Sequence, residues 1–166
     1  MGDKFQADAV TRRALELMHK GFHCGPAVMT VCQETFKWPE KANWAAINFM
    51  TGVGGYQFAP CGSLSAAAAA LGMMFGKDTG TREQAREARR KSRSAARRVF
   101  EDFRREFGST VCRGLVKVDF DQPGAFEKFV DEGGFEQKCD RYVSWVVNRL
   151  LNVAQEEGVQ PAATTT

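Results

Sequence analysis

The segment from Gly62 to Phe75 most strongly limits the folds open to this chain. It reads GSLSAAAAALGMMF, with five consecutive alanines from Ala66 to Ala70 and no charged side chain. A helix that is apolar on every side belongs in a protein interior, and its small side chains let neighbouring backbones approach closely. The segment therefore predicts a central, buried helix with other helices packed around it.

The remaining chain shows further helical patterns separated by glycines. Helices are predicted over residues 4–20, 24–36, 43–50, 62–75, 81–107, 109–115, 125–132 and 139–157. The longest opens with Thr81-Arg-Glu-Gln84, which has the form of a capping box. Only residues 115–120 alternate enough to predict a brief strand. The expected fold is all-α, a compact bundle of about five to seven helices in one domain over residues 1–157, with a disordered tail over 158–166.

Composition and the length of the apolar stretches predict the class of the protein and its compartment. Hydrophobic residues make up 43% of the sequence, which is typical of a globular protein. The longest apolar stretch, residues 64–75, is shorter than the roughly 20 residues that cross a bilayer, and the N-terminal sequence lacks a secretory pattern. The sequence therefore predicts a cytoplasmic protein with no membrane span. In that compartment, five cysteines are interpreted as reduced thiols, metal ligands or redox centres before structural disulfides.

The positions of the cysteines differ in chemical setting. Cys24, Cys61 and Cys139 fall at predicted helix starts, where free N–H groups and the helix dipole favour thiolate over thiol. Cys32 lies in mid-helix and is predicted to be a buried apolar residue. For the other four, burial as small apolar residues and a functional role both stay open on pattern alone. The chain has no CxxC pair, which disfavours a zinc ribbon or a thioredoxin-type site.

The segments around four of the cysteines resemble those of a known family. They are GFHCGPAVM, GGYQFAPCGSLSAAAAALGMMFG, REFGSTVCRGL and KCDRYVSWVVNRL. They are similar to the C_GCAxxG_C_C family of redox-active proteins, which is named for four cysteines and a Cys-Gly-Ala-x-x-Gly motif. The resemblance spans about residues 24–151 and implies that Cys24, Cys61, Cys112 and Cys139 are the family's four, with Cys32 as an extra. Ser63 stands where the motif has Ala, Ala66 stands where it has Gly, and residues 120–138 form a longer acidic connection.

Four cysteines at one site can serve two kinds of redox chemistry. They can hold an iron–sulfur cluster, [2Fe–2S] or [4Fe–4S], as four thiolates, or they can cycle as dithiol and disulfide pairs. The four cysteines are dispersed one per helix, and this favours the cluster. The predicted metal ligands for electron transfer are therefore Cys24, Cys61, Cys112 and Cys139. A structural zinc site would use the same four ligands. Four residues are candidates for the surroundings of these thiolates: His19, His23, Gly62 and Ser63. The histidines can tune a thiolate or supply a proton, while a helix-end histidine hydrogen-bonded to a carbonyl is the commoner case. No catalytic residue is assigned, and whether the protein is an enzyme stays open.

The helix predicted over residues 81–107 carries ten Arg or Lys against five acidic residues. Five arginines recur at a spacing of three or four and form one stripe, the arginine stripe: Arg82, Arg86, Arg89, Arg93 and Arg97. Such a stripe predicts docking of an acidic redox partner, while a solvated helix face is the ordinary alternative. A non-redox interaction module working through this helix is therefore a second hypothesis, and self-association into a homo-oligomer stays open. Nucleic acid is disfavoured because the aromatic residues of this helix lie on its inward side.

Overall fold

A computed structural model describes residues 2–76 and 80–159 of the chain and consists of helices joined by short loops. The α-helices are α1 (Gly2–Leu17), α2 (Cys24–Phe36), α3 (Gly62–Phe75), α4 (Arg82–Phe107), α5 (Cys112–Val116), α6 (Ala125–Asp131) and α7 (Asp140–Glu156). Met18–Phe22 and Phe135–Cys139 form π-helical turns, and Ala42–Ala46 forms a 3-10 turn. The described residues contain two isolated β-bridges and no β-strand. The predicted all-α fold is confirmed.

The alanine-rich helix α3 lies at the centre of the bundle. It packs against α2, α4 and α7. Its inward residues have no solvent-exposed area: Leu64, Ala66, Ala67, Ala70 and Leu71. Large side chains from the neighbouring helices, including Met29 and Phe103, fill the space beside these small ones. The predicted buried central helix is therefore confirmed, and no helix of the described chain is long and apolar enough to cross a membrane.

One predicted element is wrong, and two predicted helices are shorter than expected. The strand predicted over residues 115–120 does not form, because α5 continues to Val116 and Lys117 then turns the chain with a φ of 57°. The helix predicted from residue 109 begins only at Cys112, because Val111 is extended and pairs with Pro60. The helix predicted over 43–50 is reduced to the 3-10 turn. Of the predicted tail, residues 160–166 lie outside the described residues.

The segment over residues 118–139 contains a cluster of aromatic side chains, which we call the aromatic cap. Four phenylalanines in this segment contact one another edge to face, at ring-centroid distances of 5.1 to 6.2 Å: Phe120, Phe126, Phe129 and Phe135. Phe129 also packs with Val116 and Cys112 in a small apolar cluster separate from the main core. The acidic connection of the sequence thus contains the aromatic cap, and Cys112 and Cys139 pack against this cap.

Candidate functional site

The N-termini of α2 and α3 meet at one backbone carbonyl, that of Phe49. The N–H of Gly25 donates a hydrogen bond to this oxygen at 3.0 Å, and Cys24 Sγ lies 3.8 Å from it. A Cβ added to Gly25 would lie 2.1 Å from the Phe49 oxygen, and one added to Gly62 would lie 2.0 Å from it. Each cysteine at these helix starts is followed by such a glycine. The absence of two side chains therefore lets Cys24 and Cys61 approach each other.

Four thiols line a single internal space beneath the aromatic cap. They are Cys24, Cys61, Cys112 and Cys139, and the space measures about 20 Å³. Its other walls are mostly apolar and include Leu115 and Phe135. All five cysteines are free thiols, and Cys32 belongs instead to the main core, where it is 4% exposed. The structure thus brings together the four family-like cysteines and leaves Cys32 apart.

The backbone segments that carry Cys61 and Cys112 are hydrogen-bonded to each other. The N–H of Cys61 donates to the carbonyl of Thr110 at 2.8 Å, and the N–H of Cys112 donates to the carbonyl of Ala59 at 3.1 Å. These bonds flank the antiparallel bridge between Pro60 and Val111. Residues on either side of a bridged pair point to the opposite face from that pair. Cys61 and Cys112 therefore project from the same face as diagonal neighbours.

The environment of Cys61 favours its thiolate. The thiol of Cys24 donates toward it, Ser63 Oγ lies 3.1 Å from its Sγ, and the backbone N–H groups of Ser63 and Leu64 face it at the start of α3. Hydrogen bonds to the charged form outweigh the opposing effect of burial. Together they lower the pKa of Cys61 to about 7. Of the cavity thiols, Cys61 is therefore the one whose ionisation the site favours.

The other thiols of the cavity are held protonated. Hydrogen bonding to the Cys61 thiolate, burial and the charge of Cys61 raise the pKa of Cys24 well above its ordinary value. Burial, followed by the Cys61 charge, raises the pKa of Cys112 to about 12 and also raises the pKa of Cys139. Burial alone raises the pKa of Cys32 to about 12. The site therefore favours ionisation of Cys61 and disfavours ionisation of the other three thiols.

The predicted placement of Cys139 at a helix start is wrong. The π-helical turn Phe135–Cys139 runs directly into α7, and Cys139 has helical backbone angles, φ −70° and ψ −35°. Its backbone is therefore inside a continuous helical segment. No exposed positive helix end acts on this thiol, which agrees with the raised pKa of Cys139.

The two histidines predicted beside the thiols occupy different places. His23 lines the cavity, and burial lowers its pKa, which favours the neutral imidazole. Its backbone, at φ 60° and ψ 175°, adopts a conformation that residues other than glycine rarely take, and such strain is common at functional sites. His19 lies outside the cavity wall and contacts Asp140, with Nε2 2.9 and 3.1 Å from the carboxylate oxygens.

Sequence reasoning did not single out Gly25, Phe49 or the aromatic cap. The repeated Cys-Gly pair at residues 24–25 and 61–62 was a usable signal, because both glycines approach the same carbonyl. The four phenylalanines between residues 120 and 135 were a second signal, since so apolar a set is out of place in a solvated acidic loop. Nothing in the local sequence marks Phe49, because it contributes its backbone carbonyl oxygen, a group that every residue has.

The fold and the site define a class, an all-helical protein with a buried four-thiol centre. Within that class, the chain belongs to the C_GCAxxG_C_C family, described as a putative redox-active protein, whose sequence profile matches residues 22–153. The resemblance seen in the sequence is confirmed. Neither a search of curated proteins nor a search of solved structures found a significant match to this chain.

Replacing Ser63 with alanine, the residue of the family motif, is expected to raise the pKa of Cys61. A hydrogen bond to a charged group contributes about 1.5–3 kcal/mol, and one pKa unit corresponds to about 1.4 kcal/mol, so we expect a shift of about one unit or more. The measurement is the pH dependence of Cys61 alkylation, which in the unaltered protein should reach half its maximum near pH 7. Ser65→Ala, on the same helix, is the matched control. Superimposable profiles for Ser63→Ala and Ser65→Ala would contradict this account.

Proposed function

We propose that this protein is a thiol–disulfide redox protein whose Cys24 and Cys61 accept two electrons from the dithiol of a partner protein. The observation that carries the proposal is the neutral Cys24 thiol beside the stabilised Cys61 thiolate, where two helix starts meet. Stabilising a thiolate stabilises the reduced form of a pair, and its disulfide is then a better oxidant. Membership of a redox-active family supports the same chemistry.

Exposure assigns a different task to each sulfur. Cys24 is partly exposed, whereas Cys61 is only 6% exposed. A partner thiolate attacks Cys24 Sγ in the disulfide; the Cys24–Cys61 bond breaks, and Cys61 leaves as its stabilised thiolate. A leaving thiol of low pKa departs faster. Cys61 is thus suited to leaving, and Cys24, the less buried residue of the pair, to being attacked.

The second step completes the transfer. The partner's other thiol loses its proton and attacks the partner sulfur of the mixed disulfide, so that Cys24 leaves and takes up a proton. The partner ends as a disulfide, and Cys24 and Cys61 have gained two electrons. Of the two protons lost by the partner, one resides on Cys24 and the other enters solvent. The reverse sequence, with a partner disulfide, oxidises the pair again.

The reduction potential of the pair tests the proposal. The protein is equilibrated with glutathione buffers of defined ratio, and the free thiols at Cys24 and Cys61 are counted after alkylation. We expect a two-electron transition between about −270 and −120 mV, the range of catalytic pairs, whereas structural disulfides lie below about −300 mV. Thiols that stay reduced across this whole range, or a disulfide that resists reduction below it, would contradict the proposal.

The iron–sulfur cluster predicted from the sequence is the second candidate. The convergence of four thiols on one cavity favours it. The dimensions do not fit, because about 20 Å³ holds roughly one water molecule, whereas even [2Fe–2S] contains four inorganic atoms. In the part of the chain that the structure describes, no three His, Cys, Asp or Glu side chains have the spacing of a metal site, for zinc or iron. Iron and sulfide in stoichiometric amounts after purification without oxygen would replace the dithiol proposal.

The arginine stripe supplies a surface for an acidic partner. Arg97 is paired with Glu101, at 2.7 Å. Within residues 2–76 and 80–159, no acidic side chain pairs with the other four members, which are exposed: Arg82, Arg86, Arg89 and Arg93. The C-terminal residue of α4, Phe107, contacts Tyr142 of the cavity wall, and Arg86 lies about 30 Å along the helix from Phe107. The stripe is therefore suited to capturing and orienting the partner at a distance from the reacting sulfurs.

Replacing Arg86, Arg89 and Arg93 with glutamine is expected to weaken binding to a polyglutamate probe. Glutamine is nearly as good a helix former as arginine, so the fold should persist. The matched control replaces three ion-paired arginines of the same helix that lie outside the stripe: Arg90, Arg98 and Arg105. Binding is measured at rising salt, because screening weakens exposed charge interactions and should remove the difference between the variants. Equal losses in both variants would show that only net charge matters.

A further inference from the structure

We propose that Cys112 and Cys139 form a second dithiol, which passes electrons to the Cys24–Cys61 disulfide through a transient Cys61–Cys112 disulfide. This inference rests on the proposed function and extends it from one redox pair to two. In this arrangement Cys61 is the sulfur common to both pairs.

The backbone geometry selects Cys112 as the thiol that reaches Cys61. The two residues flank the Pro60–Val111 bridge and project from the same face of it. Diagonal neighbours on one face of an antiparallel pair lie about 7–8 Å apart, so the two sulfurs lie on one side of the bridge, and a disulfide between them requires the bridged segments to shift. The backbone of Gly52 and the side chain of Gln57 are hydrogen-bond partners of the Cys112 sulfur.

Cys139 is placed to complete the second pair. It packs against the small apolar cluster that contains Cys112, Val116 and Phe129. The sulfurs of Cys112 and Cys139 line the same cavity as those of Cys24 and Cys61. Phe120, Phe129 and Phe135 of the aromatic cap form part of the cavity wall. Exchange inside the cavity therefore needs no further reagent.

The transfer balances within the four cysteines. Cys112 loses its proton and attacks Cys61 Sγ; the Cys24–Cys61 bond breaks, and Cys24 leaves and takes up a proton. Cys139 then loses its proton and attacks Cys112 Sγ, which releases Cys61 as its thiolate. Cys112 and Cys139 have lost two electrons, and Cys24 and Cys61 have gained them. The one proton left over goes to solvent.

Electrostatics gives this exchange an order. In the reduced protein, the negative charge of Cys61 opposes ionisation of both Cys112 and Cys139. That charge disappears once Cys61 enters a disulfide, so both thiols then ionise more readily. Burial, the larger cause of both raised pKa values, persists after oxidation, so the loss of the Cys61 charge adds a preference for this order to the geometry.

Cys139→Ser tests the inference, because it removes the thiol that resolves the transient disulfide. The variant is equilibrated with oxidised glutathione, quenched with acid, alkylated and digested, and its linked peptides are identified by mass. We expect a Cys61–Cys112 linked pair and the loss of free thiol at Cys112. Cys32→Ser is the matched control, and it should show the Cys24–Cys61 and Cys112–Cys139 links with no accumulated Cys61–Cys112 pair.

The outcomes separate this inference from the proposed function. If Cys24 and Cys61 become linked in Cys139→Ser while Cys112 stays a free thiol at every glutathione ratio, the second pair is overturned and the proposed function stands. If no link forms at Cys61 in any protein, including the unaltered one, both are overturned. A melting profile of Cys139→Ser that matches the unaltered protein ensures that a missing link reflects chemistry and not unfolding.

Discussion

Replacing Cys61 or Cys24 with serine is expected to abolish the oxidation of a partner dithiol by this protein. Serine cannot form a disulfide, and the hydroxyl that replaces Cys61 cannot leave as a stabilised thiolate. The measurement is the rate at which the oxidised protein converts dithiothreitol to its disulfide, followed by quenching and alkylation. Cys32→Ser should retain this rate, because Cys32 lies in the main core and takes no part in the cavity.

The comparison among these variants distinguishes chemistry from packing. If Cys24 and Cys61 were only small core residues, their replacement by serine would lower stability and leave the chemistry of the folded fraction unchanged. Equal loss of dithiol oxidation in Cys24→Ser, Cys61→Ser and Cys32→Ser would indicate such a general packing role. That result would contradict the assignment of Cys24 and Cys61 as the redox pair.

Replacing Gly62 with alanine is expected to lower stability and to separate Cys24 from Cys61. The added Cβ would lie 2.0 Å from the carbonyl oxygen of Phe49 and 2.8 Å from Cys24 Sγ. Because the first of these is a backbone atom, relief requires the start of α3 and the Phe49 backbone to move apart, and overpacking of this kind costs about 1–3 kcal/mol or more. Denaturant unfolding measures the loss. The alkylation profile of Cys61 should move to higher pH, because its hydrogen bond from Cys24 is disrupted.

Gly72→Ala is the matched control, since Gly72 is exposed on the same helix and a Cβ there meets no atom within 4 Å. Alanine in a helix interior is favoured over glycine by about 0.5–1 kcal/mol, so this variant should be more stable than the unaltered protein. Gly62→Ala with unchanged stability and an unchanged Cys61 profile would contradict the close approach of the two helix starts.

Local signals explain why much of the helical layout could be predicted from sequence. The predicted bounds of α2 and α3 agree with the structure at both ends. Thr81 and Gln84 form the expected capping box, with hydrogen bonds of 2.9 and 3.2 Å, and Gly108 ends α4 at a φ of 78°. Each of these features depends on residues within a few positions of one another, so a single sequence suffices to find it.

The geometry of the site depends on contacts between distant parts of the chain. Val111 is extended because it pairs with Pro60, about fifty residues earlier, and this pairing delays the start of α5 to Cys112. The asymmetry between Cys24 and Cys61 likewise follows from the Phe49 carbonyl beside one sulfur and Ser63 beside the other. The predicted helix starts identified Cys24 and Cys61 as candidate thiolates, but they do not distinguish which of the two ionises more readily.

Disulfide mapping of the oxidised protein tests the central claim most directly. The protein is purified without oxygen, analysed for iron, sulfide and zinc, oxidised with glutathione disulfide, alkylated, digested and examined by mass spectrometry. The account predicts no stoichiometric metal, a peptide pair linked through Cys24 and Cys61, and a free thiol at Cys32. Free Cys24 and Cys61 thiols after oxidation, or a bound iron–sulfur cluster that is lost when either residue is replaced, would contradict it.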